Sequence, residues 1–349
     1  DASGVRRKTY VTYVVTNGIS RRSVVRVCGD TTTCGTSAEI RTEYEYWGNT
    51  LLPSVERHID AARGETRETH YSYDDAGRLL VEDGPLPGVG DAQYFRYDVY
   101  GRRIWEIGPL GSNGFRNARK MTYRDSDDKV VRVEEGTVTQ PDSAVLTVRA
   151  TTDLTFDGRR NPVREATSAA GATQRLVERS FKSSGPLICE ALRMNPADFA
   201  SQTDACTLGS AGSFGPDRIT RNLYDAAGQL LQVQRAYGTP LQQNYATYTY
   251  TANGKRQTVT DANGNLSTLE YDGLDRLAKL RFPVATKGAG LSSTSDFELY
   301  GYDAAGNRIS LRKRDGRVLT YTFDALNRER VKTVPASVSG APGYSVYRG

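Results

Sequence analysis

The sequence predicts an all-β fold, an array of antiparallel β-hairpins forming a long curled sheet. Three observations predict it. Tyr-Asp, two variable positions and Gly recurs intact at Tyr73-Asp74-Asp75-Ala76-Gly77, Tyr97-Asp98-Val99-Tyr100-Gly101, Tyr224-Asp225-Ala226-Ala227-Gly228 and Tyr302-Asp303-Ala304-Ala305-Gly306. The flanks alternate with period two: Tyr248 and Tyr250 with Thr247, Thr249 and Thr251, and Ile309 and Leu311 with Arg308, Ser310 and Arg312. Tyr, Thr, Arg and Gly are plentiful, as half-buried strands and hairpins require. Internal repetition decides architecture before any other signal.

The motif has a turn chemistry. Asp at the first corner and Gly at the fourth suit a type I turn, with the Asp side chain bonding backbone N–H groups just downstream. Gly then takes a left-handed conformation, giving a three-residue hairpin loop with a bulge. Tyr ends the incoming strand. Arg78-Leu79-Leu80, Gln229-Leu230-Leu231 and Asn307-Arg308-Ile309 begin outgoing ones. The imperfect copies follow the same backbone requirement. Tyr271-Asp272-Gly273-Leu274-Asp275 and Phe323-Asp324-Ala325-Leu326-Asn327 put Asp or Asn, which tolerate positive φ, at the glycine position. Tyr250-Thr251-Ala252-Asn253-Gly254 keeps Gly and loses Asp. Phe156-Asp157-Gly158-Arg159-Arg160 breaks the rule with Arg160, so an altered turn is expected there. Tyr123-Arg124-Asp125-Ser126-Asp127, Phe181-Lys182-Ser183-Ser184-Gly185 and Tyr46-Trp47-Gly48-Asn49 are weaker matches.

Taken in order, residues 1–43 read as a degenerate N-terminal region, with Tyr10–Val15 and Arg22–Val27 forming a hairpin around Thr16-Asn17-Gly18. Repeats follow over 44–187. An insertion at 188–217 breaks the rhythm; Asn195 caps a short helical turn begun by Pro196, and the rest is Gly- and Ser-rich loop. Repeats resume over 218–349, the last one incomplete. Longer hairpin ends fall at Gly84–Gly88 and Ala285–Ser295. About ten repeats of two strands give roughly 20 strands, and a strip on the order of 95 Å at ~4.8 Å per strand. Sheets that long curl, and their open edges need neighbours, either other parts of a parent chain or identical copies.

The intact and graded motifs, from about Tyr44 to Tyr347, resemble the YD repeats of the RHS family, which includes bacterial RHS proteins, insecticidal toxin complex B and C components, and teneurins. Arg193-Met194-Asn195-Pro196 through Cys206 to Gly215-Pro216-Asp217-Arg218, and Tyr44 through Pro53, also resemble bacterial RHS segments. The resemblance implies a β strip spiralling into a hollow shell, often around a C-terminal toxin. Many relatives end in a core domain with Asp-Pro-x-Gly motifs and an aspartyl-protease-like activity. No such motif occurs in this sequence, so the protease and the cargo are expected outside it. Tyr344–Gly349 resembles the start of a further repeat.

Composition bounds the alternatives. The net charge of +5 is interspersed in sign and shows no basic patch for nucleic acid. Arg312-Lys313-Arg314, followed by Asp315, reads as a solvated strand face. No apolar run approaches the ~20 residues of a membrane helix. Cys28 and Cys34 flank a short loop, and Cys189 and Cys206 bracket the insertion. Two local disulfides and an oxidising compartment, secreted or cell-surface, are the favoured reading, with free thiols or a four-thiol metal site as the rivals. His58 and His70 sit in no catalytic motif and read as surface or strand residues. Glu134-Glu135, Asp125, Asp127 and Asp128 read as solvated corners beside turns. Asp261-Ala262-Asn263-Gly264-Asn265 looks superficially like a calcium loop, but its Gly comes too early, so another hairpin turn is expected. The repeated Tyr rings are expected to pack across strands more than to stack on sugars.

The sequence therefore points to a non-catalytic structural segment with no cofactor or metal. Its structural turns are Asp74, Gly77, Asp98, Gly101, Asp225, Gly228, Asp303 and Gly306. It would form the wall of an exported shell around a toxin domain, with a glycan- or partner-binding adhesion module as the alternative. A hydrolase inserted at 188–217 is disfavoured, because that segment lacks His.

Overall fold

A computed structural model describes residues 8–28, 39–201, 204–336, 340 and 342–347. Among them the chain forms 25 β-strands and one short 3-10 turn at Pro196–Asp198, which Asn195 caps through its side chain. Two compact units divide the molecule: Asp1–Thr155 with Glu165–Gln174, and Phe156–Arg164 with Arg175–Gly349.

The first unit is an antiparallel meander from Lys8–Thr16 onward, each strand pairing with the next in sequence. Its first hairpin turns on Asn17 (φ 51°) and Gly18 (φ 79°), two left-handed residues that match strand twist. A core of Trp105, Ile107, Ala118 and Val138 is covered by Tyr94, Ile104 and Leu146. Buried Arg116 fastens the loop before Gln93–Tyr97 by donating to the carbonyls of Val89 and Ala92.

The second unit repeats the pattern from the pair Ala172–Phe181 and Leu187–Arg193 to Tyr344–Tyr347. Leu187–Arg193 occupies the start of the 188–217 segment, and the chain after it folds over the sheet. There Cys189, Ala191, Ala205 and Ile219 form a core with Leu208 and Tyr237. Cys189 and Cys206 are disulfide-bonded, with Cα atoms 5.3 Å apart. The suggested partner of Cys28, Cys34, lies outside the described residues.

Arg193, 2% exposed in its side chain, holds this covering segment down. Its guanidinium donates to Glu178 (2.6 Å), Asp217 (2.8 Å) and the carbonyls of Thr207 and Asp204. Asp217 also accepts the backbone N–H groups of Met194 and Gly209. Burial opposes its charge, yet these donors hold its carboxyl below the usual range.

Several expectations need correction. Arg160 does not alter its turn: it takes φ 68°, and the Asp157–Asn161 and Arg160–Asp157 backbone bonds form at 3.0 Å. The left-handed cost of about 1–2 kcal/mol for a non-glycine residue is offset by Asp157, which accepts from the N–H groups of Arg159 and Asn161 and from the Asn161 amide. Arg312-Lys313-Arg314 is not a strand face: Arg312 ends a strand, and Lys313–Arg317 closes a tight turn around Gly316. Glu134 and Glu135 are not beside a turn. They lie mid-strand in Lys129–Val138, opposite Lys120 and Arg119, where cross-strand register pairs unlike charges.

Candidate functional site

The repeated feature is a hairpin corner, and its parts recur residue by residue. At Asp74 the backbone N–H donates to the carbonyl of Arg78 (3.0 Å), and Gly77 donates to the carbonyl of Asp74 (2.8 Å). Three residues thus lie between the paired positions. Asp98–Arg102, Asp225–Gln229, Asp272–Arg276, Asp303–Asn307 and Asp324–Arg328 close identically, as do Thr251–Lys255 and Lys182–Pro186. Gly77, Gly101, Gly228 and Gly306 have φ between 77° and 88°, and Asp275 and Asn327 take 59° in the same place. Asp261–Asn265 forms the same loop. At Tyr123 the loop is one residue longer, and Asp128 takes the left-handed conformation.

The corner Asp works three ways. One oxygen of Asp98 accepts the N–H groups of Tyr100 and Arg102, both at 2.9 Å, while the other accepts Arg102 Nε at 2.6 Å. Asp74 with Arg78, Asp272 with Arg276 and Asp324 with Arg328 repeat this, and Asn161, Asn265 and Asn307 supply a side-chain amide instead. Donation from the Arg78 backbone, then from its side chain, holds the Asp74 carboxyl below its usual range. The residue after the glycine is therefore a functional part of the corner. Its recurrence as Arg, Asn or Gln is the readable signal, although the sequence alone marks it only as the start of a strand.

A second feature follows most of these corners, though not Asp261–Asn265, whose flanking strands pair without a shift. Ser72 pairs with Val81 but Tyr73 pairs with Leu79, so Leu80 is an extra residue. Ile104, Ile188, Leu231, Gln257, Ala278, Ile309 and Arg330 are extra in the same way. A bulge of this kind bends its strand and raises local twist.

The Tyr of each corner then ties one hairpin to the one before it. Between hairpins the ladder runs out three residues before the Tyr, for example at Val81↔Tyr94 and Lys279↔Leu299. The carbonyl two residues beyond that last rung lacks a strand partner, and the next Tyr hydroxyl donates to it. Tyr73 reaches Pro53, Tyr97 Leu79, Tyr123 Arg103, Tyr224 Leu187, Tyr250 Leu230, Tyr271 Arg256 and Tyr302 Leu277, at 2.7–3.0 Å. The guanidinium of the preceding corner covers the ring in several copies: Arg78 over Tyr97 (5.1 Å), Arg102 over Tyr123 (4.8 Å) and Arg276 over Tyr302 (4.5 Å). Arg102 additionally pairs with Asp125 and Asp128, so one guanidinium joins two corners.

The other sequence candidates are dispersed. His58 lies on Pro53–Asp60 beside Thr42, and His70 lies on Glu65–Tyr73 beside Glu68. Asp125, Asp127 and Asp128 stay at their corner, where Asp127 pairs with Arg124. Among the described residues no group of His, Cys, Asp or Glu is placed to hold a metal ion, and no helix is long and apolar enough to cross a membrane.

Residues 216–337 match the sequence family described as Teneurin YD-shell. Among solved structures, the chain is similar to the crystal structure of TcdB2-TccC3-TEV, with a TM-score of 0.37 and 16% identity over 93% of this chain and 19% of that one. The crystal structure of TcdB2-TccC3 gives 0.36 and 15%, over 94% and 23%. The Photorhabdus luminescens Tc holotoxin pore gives 0.36 and 15%, over 97% and 19%. The chain spans about a fifth of the length of these structures. No curated protein sequence matches it.

Proposed function

We propose that this chain, whose residues 216–337 are a YD-repeat segment of the RHS and teneurin type, is a non-catalytic structural segment of an exported RHS-repeat protein. Its hairpins serve as the β wall of a shell that encloses a toxin domain, and its mechanism is exclusion of proteases and of the producing cell from what lies inside. One observation carries the reading: the Tyr hydroxyl of one corner substitutes for the rung missing beside the previous corner, as Tyr97 does at Leu79. A row of isolated hairpins has no need of that bond, whereas a closed wall does, because an unpaired carbonyl is a gap where water and chains enter. The bulge after each Tyr-Asp or Phe-Asp corner whose register is given adds twist of one hand, which supports a strip that curls.

The electrostatics agree. Asp74, Asp98, Asp272, Asp303 and Asp324 are held charged by local donors, and Tyr residues such as Tyr71 and Tyr300 are pushed up to about 12 by burial. A general acid or base operating near neutrality has its pKa moved the other way. The Cys189–Cys206 bond supports an oxidising, extracellular setting. Remaining parts of the parent chain, or copies, would cover the open edges.

The test uses the parent polypeptide isolated from its native source with an antibody against this chain. The expected product is longer than 349 residues and keeps an internal segment intact under protease until the wall is denatured. Cleavage of every segment, the internal one included, at the same rate with and without denaturant overturns the reading.

A further inference from the structure

On one sheet face of the first unit lies a trough of about 710 Å³, within the size range of small-molecule sites. Its floor is a cross-strand row running from Phe95 through Glu106, Arg119 and Glu135 to Ala150. We propose that this trough binds a sugar acid, a saccharide unit bearing one carboxylate, with Arg149 as the carboxylate's partner. The proposal is independent of the wall reading.

The charges select the ligand. Arg103 pairs with Glu106 at 3.1 Å and Arg119 with Glu135 at 3.5 Å, so both are already neutralised. Arg149 remains exposed and, among the described residues, has no acidic or hydrogen-bonding partner. One unpaired cation beside two glutamates accepts a single negative charge and repels a polyphosphate or a heavily sulfated chain.

The backbone is built to present that cation. Glu135 pairs with Ala150 but Gly136 pairs with Val148, which leaves Arg149 as an extra, bulged residue. Bulges re-aim side chains next to sites. This one brings the Thr147 carbonyl so close to Gly136 that a Cβ there would lie 2.0 Å from its oxygen. Glycine inside a strand is otherwise costly, so its place here follows from the bulge.

The remaining lining suits hydroxyl groups. Gln93 and Asn117, both exposed, each offer an amide donor and acceptor that no described residue engages. The two glutamates accept hydroxyl protons along the floor. An acidic peptide is the poorer fit, because the strands Arg103–Leu110, Arg116–Arg124 and Lys129–Val138 are hydrogen-bonded on both sides and offer no edge for strand addition.

The experiment titrates the full chain with N-acetylneuraminic acid, glucuronic acid, glucose and a short polyglutamate peptide, followed by calorimetry and NMR. Saturable binding of at least one of the two acids is expected, with glucose binding at least roughly tenfold more weakly, the loss expected from removing one charge-assisted pair. Arg149→Met should weaken the acid by a similar factor with an unchanged circular dichroism spectrum, and Arg149→Lys should recover part of it. Asn117→Ala tests the same site without touching the bulge, and should also weaken binding. Absence of saturable binding by either acid, equal binding by Arg149→Met, or tighter binding of the peptide than of both acids overturns the proposal.

Discussion

The hydroxyl of Tyr97 lies 3.0 Å from the carbonyl oxygen of Leu79, the residue that faces Tyr73 across the previous corner. A side chain thus does the work of a backbone rung where two hairpins splay. Tyr97→Phe keeps the ring and its packing under Arg78 and removes only the donor, so it should destabilise by about 1 kcal/mol in urea unfolding. Tyr302→Phe should cost about the same, and the two should add, since they share no partner. Phe323 occupies the equivalent place beyond the last rung Ser310↔Thr320 and has no hydroxyl. Phe323→Tyr should therefore gain about 0.5 kcal/mol by reaching Arg308. A gain at Phe323 with no loss at Tyr97 would contradict the latch.

The left-handed corner position can be tested in both directions. Gly306 has φ 88° and open space where a Cβ would sit, so Gly306→Ala isolates the backbone term and should cost about 1 kcal/mol. Arg160→Gly relieves the same strain while adding chain entropy to the unfolded state, for a net gain of about 0.5 kcal/mol. Thermal melting of both variants checks the signs. A stabilising Gly306→Ala would mean that the corner conformation is not what the glycine provides.

The corners were legible because their requirement is local: Asp74 and Gly77 act within five residues, and any hairpin with that geometry asks for the same types. The latch was not legible, because it depends on where the ladder between two hairpins stops, and register between neighbours is not written in either one alone. Arg78, Asn307 and their equivalents stood in plain sight after each glycine, but their tie to the corner Asp needs the closed loop to be seen. The Lys313–Arg317 turn carries no Tyr to mark it as a corner, and only Asp315 and Gly316 signal it in the sequence. Arg149 gave no signal at all, because a bulge is a mismatch between two strands.

Arg193 is paired with Glu178 and Asp217, whose side chains are 7% and 3% exposed. Arg193→Met leaves Asp217 buried without a cation and Glu178 with only Arg164 at 4.0 Å, and should cost about 3–5 kcal/mol. Adding Glu178→Gln and Asp217→Asn should return part of that loss, since neutral groups need no counter-charge. If the triple variant were less stable than Arg193→Met alone, desolvated charge would not be the cause. Urea midpoints at constant slope give the comparison.

The bond between Cys189 and Cys206 closes the covering segment over the Ile219 core. Non-reducing peptide mapping should recover these two half-cystines in one linked pair, and Cys28 linked to Cys34 in another. Reduction of the first should lower stability by roughly 3 kcal/mol in the chain-entropy account, with a separation of 17 residues. The loss should localise: hydrogen exchange should rise over 194–217 and leave Tyr271–Asp324 unchanged. Free thiols at all four positions in protein from the native source would remove the support for an exported chain.

The dependence on pH should be two-sided, with each flank assigned to different groups. Hydrogen bonds from Arg78 hold Asp74 below its usual range, those from Arg276 and Arg328 do so for Asp272 and Asp324, and the Asn307 amide does so for Asp303. A carboxylate lowered in the folded state stabilises it above its unfolded pKa of about 3.9 and loses that contribution as pH falls through the folded value. These carboxylates are half-buried at hairpin tips whose neighbouring loop residues face solvent, so the acid flank should be shallow. Tyr71 is pushed up to about 12 by burial and by Glu56 and Glu82, and Tyr300 to about 12 by burial and by its bond to Glu298. For a raised acid the sign reverses: stability is complete below the unfolded value of about 10 and is lost as pH rises from there towards 12. Melting temperature should therefore be flat from about pH 5 to about pH 9 and fall on both sides. Tyr300→Phe should flatten the alkaline flank and change the acid one little, because Lys313 remains the main donor holding the Glu298 carboxyl low. An alkaline fall that survives substitution of both Tyr71 and Tyr300 would place the titrating groups elsewhere, with the latch tyrosines Tyr73 and Tyr224, also raised by burial, next in line.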